Sequence, residues 1–238
     1  MNVIVLISLL SLVFFSNLLI TLPSIAFHGI TSRYNNWTII NNTTLPHGIH
    51  DVIVFVHGVD GCSAEFLTMR NEFTNRNIPY EMIAIDFGSN SGIPVHEEVE
   101  TLHNILFSQW DHIKTIRFVG HSKGGIVTIL YAKKYPEKIV SMVTISSPIK
   151  GSLIASYNPI YPVVRRELGF NSPTIKNLIP HNPSYKLLHI IPFFDHLIQP
   201  VGVAKSPYGQ VYYYTGFYSH NGIMCAPDVI DVIYHFLL

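Results

Sequence analysis

Charge is scarce in this chain. Of its 238 residues only 13% are Asp, Glu, Lys or Arg, about half the share usual in a soluble domain, and 15 basic residues balance 15 acidic ones. No basic field exists to hold a nucleic-acid backbone, so nucleic acid is not an expected partner. Cysteine is scarcer still. Cys62 and Cys225 are too few for a disulfide framework or a structural zinc site, and the fold must rest on its apolar core. A phosphate-binding G-x-x-x-x-G-K-[ST] run is absent, as are a dinucleotide fingerprint after a strand and any repeat of fixed period. His96-Glu97-Glu98-Val99-Glu100 begins like a zinc-protease helix, but Glu100 stands where the second histidine is needed. His96 and His103 then belong to a polar helix face, and neither a metal nor any other cofactor is expected.

Apolar residues, by contrast, make up 48% of the chain, enough for the core of one domain and incompatible with disorder. Part of this sits at the start, where Val3 to Leu22 is broken only by Ser8, Ser11, Ser16, Asn17 and Thr21. Such a run is long enough to cross a bilayer, and Ser24-Ile25-Ala26 offers a signal peptidase its small-x-small pattern. Residues 1–26 are read as a hydrophobic leader, a signal peptide or a membrane anchor. The expected location is the secretory pathway, extracellular or membrane-anchored, with any membrane association through this segment. Sequons at Asn36, Asn41 and Asn42 fit lumenal exposure. Residues 27–51 are turn-rich, an irregular or hairpin lead-in.

From Asp51 onward, β-branched runs alternate with helix-compatible stretches. Strands are expected at Val52–Val56, Met82–Phe87, Thr115–Val119, Ile139–Ile145, Leu187–Pro192 and Gln210–Thr215, and helices at Ser63–Asn75, Val95–Gln109, Gly124–Tyr135 and Pro227–Leu237. Several strands are continuously apolar, the pattern of a parallel sheet covered on both faces. The fold class is α/β over 27–238. The interval 149–186 interrupts the rhythm with Pro159, Pro162, Pro173, Pro180 and Pro183 and no strand of its own. It is a candidate cap or lid, or else a wandering crossover. Within it Ser172-Pro173-Thr174 has the form of a capped helix start.

The chemistry centres on Gly120-His121-Ser122-Lys123-Gly124-Gly125, a G-x-S-x-G between an apolar strand and a helix-compatible run. A serine on so tight a turn is held in a strained backbone conformation. The flanking Gly120 and Gly124 are required because a Cβ there would collide with the neighbouring strand and helix. A serine hydroxyl needs a base, normally an imidazole held by a carboxylate. His220 lies in the loop between the last strand and the last helix, where that base belongs. His121 reads as a packing or lining residue, and side chains as adjacent in sequence as His196 and Asp195 tend to diverge. Between Ser122 and His220 the only acids are Glu137, Glu167 and Asp195. Glu137 follows a helix end on the wrong side of the sheet, and Glu167 beside Arg165 and Arg166 reads as a surface ion pair. Asp195, at the carboxyl end of a strand, is the candidate acid. Oxyanion donors are expected at the backbone N–H groups of Lys123 and of Val59, the latter in His57-Gly58-Val59-Asp60-Gly61, with His57 and Gly58 supporting the turn.

Phe55-Val56-His57-Gly58, the serine loop, Ser146-Ser147-Pro148 with Lys150-Gly151-Ser152, Asp195 before Leu197-Ile198-Gln199-Pro200, and His220-Asn221-Gly222 together resemble the α/β-hydrolase superfamily, its lipase and esterase branch most of all. The resemblance covers Asp51 to Leu238. It implies a mostly parallel central sheet with helices on both faces, a short cap insertion, and hydrolysis of a carboxylic ester, lipid-like in substrate, through an acyl-enzyme. A thioesterase or acyltransferase would use the same constellation, and a catalytically silent binding protein the same fold. Lys123, where the family often has an uncharged residue, and the short lead-in depart from the pattern. Phe193, Phe194 and Tyr212 to Tyr214 would serve an apolar acyl site or belong to the core. Cys62 and Cys225 would be bridged in an oxidising compartment or remain free.

Overall fold

A computed structural model describes residues 45–88, 92–178 and 183–238. The apolar run 3–22 and the three sequons lie outside the described residues, among which no helix is long and apolar enough to cross a membrane. Six strands form one sheet: β1 (His50–Val56), β2 (Glu81–Ile85), β3 (Ile113–His121), β4 (Ile139–Ile145), β5 (Lys186–Pro192) and β6 (Gln210–Tyr214). Their order is β2-β1-β3-β4-β5-β6, and every neighbouring pair is parallel.

The first strand shows why the sequence builds such a sheet. Its β-branched residues project alternately to the two faces: Val52, Val54 and Val56 enter one apolar cluster, Ile53 and Phe55 the other, and all five are fully buried. On the first face lie α2 (Val95–Phe107) and α3 (Lys123–Lys134). Helix α2 offers Val95, Val99, Leu102 and Leu106, a stripe spaced at helical periodicity. On the second face α1 (Leu67–Asn75), reached through a 3-10 turn at Ser63–Phe66, packs with α7 (Pro227–Leu237). Helix α7 starts with Pro at its first position, where the missing N–H costs nothing.

The chain moves outward from β1 to β2 and then back across to β3. Because crossovers between parallel strands are right-handed, this reversal places α1 and α2 on opposite faces. It also opens a crevice at the carboxyl ends of β1 and β3, the switch point where open α/β sheets bind ligands.

Between β4 and β5 three short helices appear: α4 (Leu153–Ser156), α5 (Pro162–Leu168) and α6 (Pro173–Lys176). A single bridge, Ser152 to Gly169, ties this segment to itself. Ser172 accepts from the Ile175 N–H, capping α6, and Pro173 follows it. Glu167 departs from the expectation of a surface ion pair with Arg165 or Arg166. It is buried, and its Oε2 accepts from the Val95 N–H at 2.6 Å. A carboxylate at the start of α2 satisfies an orphan donor and the helix dipole, a better partner than a solvated guanidinium. His103 likewise leaves the polar face assigned to it and stacks on Tyr135, ring centroids 3.7 Å apart. Both cysteines are free thiols, Cys225 exposed.

Candidate active site

Ser122 stands between β3 and α3 with φ 52° and ψ −121°, a positive φ that a non-glycine residue holds only when its surroundings enforce it. The enforcement is visible. The Ser122 N–H donates to the Ile145 carbonyl at 2.8 Å, and the Gly125 N–H donates to the Ser122 carbonyl at 3.1 Å. A Cβ on Gly124 would strike the Val56 and His57 carbonyl oxygens at the end of β1, and one on Gly120 would lie 2.7 Å from the Gly125 nitrogen. Strand and helix approach so closely here that only glycine fits at either position, as the motif demands.

The loop after β1 touches the serine directly: a Cβ built on Gly58 would come within 2.9 Å of the Ser122 Cβ. His57 is buried and braces this loop at both ring nitrogens. Nε2 accepts from the Phe87 N–H at 3.0 Å, so Nδ1 carries the proton and donates to the Gly58 carbonyl at 2.8 Å. That bond fixes the plane of the Gly58–Val59 peptide. In a trans peptide the N–H points opposite to the C=O, so the Val59 N–H is turned away from the His57 ring. Lys123 opens α3, and its N–H lies in the first turn, where helix donors have no acceptor within the helix.

Asp195 and His220 meet. His220 Nδ1 lies 2.8 Å from Asp195 Oδ2, and both side chains are almost fully buried. The other carboxylate oxygen, Oδ1, accepts from the N–H groups of Leu197 at 2.8 Å and Ile198 at 3.0 Å. Burial works to raise the Asp195 pKa, but His220 beside it and these two N–H groups outweigh burial and hold it at about 2. Asp195 is therefore ionised at neutral pH, so His220 Nδ1 carries the proton and Nε2 is left as the basic nitrogen. The His220 loop is joined to the serine loop through His121. Their rings lie 4.8 Å apart, and His121 Nε2 is 3.0 Å from the His220 carbonyl oxygen. His196 meets the His220 ring edge-on at 6.4 Å.

Three acids in this region have no sequence signature. Glu98 on α2 lies 3.1 Å from Lys123 Nζ, both side chains 1% exposed, and the same Nζ donates to the Ile93 carbonyl at 2.7 Å. This accounts for the departure at Lys123: its charge is answered from the neighbouring helix. Asp60 receives a hydrogen bond from the Tyr161 hydroxyl, whose pKa burial and this carboxylate raise, so segment 149–178 touches the loop after β1. Glu65 lies 3.5 Å from His121. A lysine immediately after Ser122, with no place in solvent, was the one signal that a buried acid had to exist. Among the described residues no group of His, Cys, Asp and Glu could hold a metal ion.

Residues 47–164, from before β1 into α5, match the family model described as "Putative serine esterase (DUF676)". The chain has the α/β-hydrolase fold. Its fold is similar to that of lipase B from Aspergillus fumigatus, with 14% sequence identity and a TM-score of 0.61, covering 80% of this chain and 54% of that one. The chain thus spans about half the length of that enzyme. The metagenome-derived lipolytic enzymes LipS and LipT give 12% identity and a TM-score of 0.61, covering 80% of this chain and 93% of theirs. Carboxylesterase CesB (YbfK) from Bacillus subtilis gives 14% and 0.55, covering 81% and 85%. No curated protein matches the sequence.

Proposed function

We propose that this chain cleaves carboxylic esters through an acyl-enzyme on Ser122, with His220 as general base and acid, Asp195 as the carboxylate that orients it, and the N–H groups of Val59 and Lys123 as oxyanion donors. The observation that carries the reading is the 2.8 Å bond between His220 and Asp195, which the fold brings against His121, the residue before the strained Ser122. In the first half-reaction the Ser122 hydroxyl attacks the ester carbonyl carbon while its proton passes to His220 Nε2. The tetrahedral oxyanion then collapses, the alkoxide leaves with that proton, and the acyl group stays on Ser122 Oγ. Water, deprotonated by His220, attacks the acyl carbon, and Ser122 regains its proton as the acid departs. Asp195 holds the imidazolium that forms in each half, and each oxyanion donor is worth about 3 kcal/mol.

The substrate is proposed to be lipid-like. Phe193 is 55%, Phe194 39% and Phe217 83% exposed, so they are rim residues and not core. Phe194 stacks on Phe217 with centroids 5.3 Å apart. These rings flank Asp195 and His220 in sequence and suit an acyl chain better than a polar alcohol. Segment 149–178, with Leu153, Ile154, Tyr157 and Ile160 also exposed, is proposed as the cap over the site. The apolar run 3–22 supports delivery to the secretory pathway. The test is turnover of a p-nitrophenyl ester series, from acetate to palmitate, by the wild type and by Ser122→Ala. Expected are a preference for longer chains and loss of turnover in the variant, with an unchanged circular dichroism spectrum. Full turnover by a folded Ser122→Ala protein would end the proposal.

A further inference from the structure

A second acid–imidazole couple lies beside the first. Glu65, in the 3-10 turn at Ser63–Phe66, and His121, at the end of β3, are both buried, and Glu65 Oε2 stands 3.5 Å from His121 Nδ1. The other ring nitrogen, Nε2, is 3.0 Å from the His220 carbonyl oxygen. A carbonyl only accepts, so Nε2 carries a proton; Nδ1 is turned to the carboxylate, and the two attract only when a second proton lies between them. Each member also reaches the loop after β1. A Cβ on Gly58 would lie 3.4 Å from His121 Nδ1, and one on Gly61 would lie 3.0 Å from Glu65 Oε2. The couple therefore touches the loop that supplies one oxyanion donor, and it holds the backbone of the residue that supplies the base. Burying a carboxylate and an imidazole is a poor way to gain stability, because apolar side chains of similar volume pack as well without the desolvation cost.

We propose that Glu65 and His121 are positioning residues that fix the oxyanion loop and the His220 loop at a set separation. Asp195 holds the His220 ring at Nδ1 while His121 holds its main chain, so the imidazole is fixed at two points. The proposal rests on the assignment of Ser122, Asp195 and His220 above. His121 is faced by Glu65 and by His220; His220 is faced by Asp195, His121 and His196.

The experiment compares Glu65→Gln, His121→Gln and His121→Leu with the wild type, reading kcat and KM for a p-nitrophenyl ester across pH. Active sites are titrated with a fluorophosphonate, so that rates refer to folded enzyme. His121→Leu is expected to lower kcat about 100-fold with KM changed less than about threefold, the pattern of lost transition-state alignment. His121→Gln, whose amide N–H can still reach the His220 carbonyl, is expected to recover at least about tenfold of that loss. Glu65→Gln removes a negative charge behind the two imidazoles, so the acid limb of kcat/KM is expected to move to lower pH. A Glu65→Gln profile that superimposes on the wild type, or equal impairment of the two His121 variants, overturns the proposal. Should His121→Leu fail to fold, long-range proton–nitrogen spectra of wild-type ring nitrogens decide: a proton on His121 Nε2 supports the proposal, and a bare Nε2 refutes it. Failure of the underlying assignment looks different, since Ser122→Ala would then keep its turnover.

Discussion

The serine turn and the exposed aromatic cluster of Phe193, Phe194 and Phe217 are built on opposite principles. At the turn every position is decided by its neighbours: Ser122 is held at positive φ, glycines on either side leave no room for a Cβ, and the lysine that follows is answered by a buried glutamate. At the rim, Phe193, Phe194 and Phe217 are exposed and hold mainly one another. Chemistry needs groups fixed to fractions of an ångström, whereas binding an acyl chain needs only apolar area. Changes at the first region should therefore act on kcat and be large; changes at the second should act on KM and be small.

The largest effect is expected at Asp195. Asp195→Asn removes the charge that stabilises the His220 imidazolium and leaves His220 free to take the wrong tautomer, so kcat is expected to fall about 10^4-fold with the fold retained. Stopped-flow or endpoint ester assays on matched, titrated enzyme measure this directly. A loss confined to KM would erase the contrast between the two regions.

A smaller effect belongs to the sheet that carries both. His189, in the middle of β5, is fully buried, its ring nitrogens 2.7 Å from Thr144 Oγ1 and 3.0 Å from Ser206 Oγ. Burial pushes its pKa down from 6.5 to about 4. The unfolded chain takes up a proton below about pH 6.5 while the folded one does not until about pH 4, so this histidine costs nothing above the window and destabilises progressively on acidification through it. The expected loss from this residue is about 3 kcal/mol between those limits. His189→Gln removes the titration, and urea denaturation of both proteins at pH 7 and pH 4 should show a smaller drop for the variant. Equal drops would mean that His189 is protonated in the native state.

The smallest effect is expected at the rim. Phe217→Ala deletes an exposed ring whose partner is Phe194, a contact worth about 1 kcal/mol. KM for a long-chain ester should rise about fivefold, with short-chain kinetics and the melting temperature almost unchanged. A fall in kcat of two orders of magnitude would instead make Phe217 part of the reacting geometry and move the boundary between the regions.

The same contrast governs what could be read from the sequence. The strands were legible because residues such as Val52 to Val56 are β-branched and buried on both faces, and all six expected strands appear within a few residues of their predicted ends. The serine turn was legible because its backbone dictates glycine at fixed offsets. His220 and Asp195 followed from their places after β6 and β5. Glu65, Glu98 and Glu167 were not legible. Each is buried through a partner brought in by the fold, and a glutamate beside an arginine, as Glu167 is, reads as solvated until its helix is placed. The rim was ambiguous for a related reason: Phe193-Phe194 has the same pattern in a core as on a surface.

The central claim is that Ser122 is the nucleophile, made reactive by His220. It is tested most directly by exposing the folded chain to a fluorophosphonate and locating the adduct by peptide mass spectrometry, in the wild type and in His220→Ala. The account predicts one adduct, on Ser122, formed at least about 100-fold more slowly in the variant. An adduct on another residue, or equal rates in the two proteins, would contradict it.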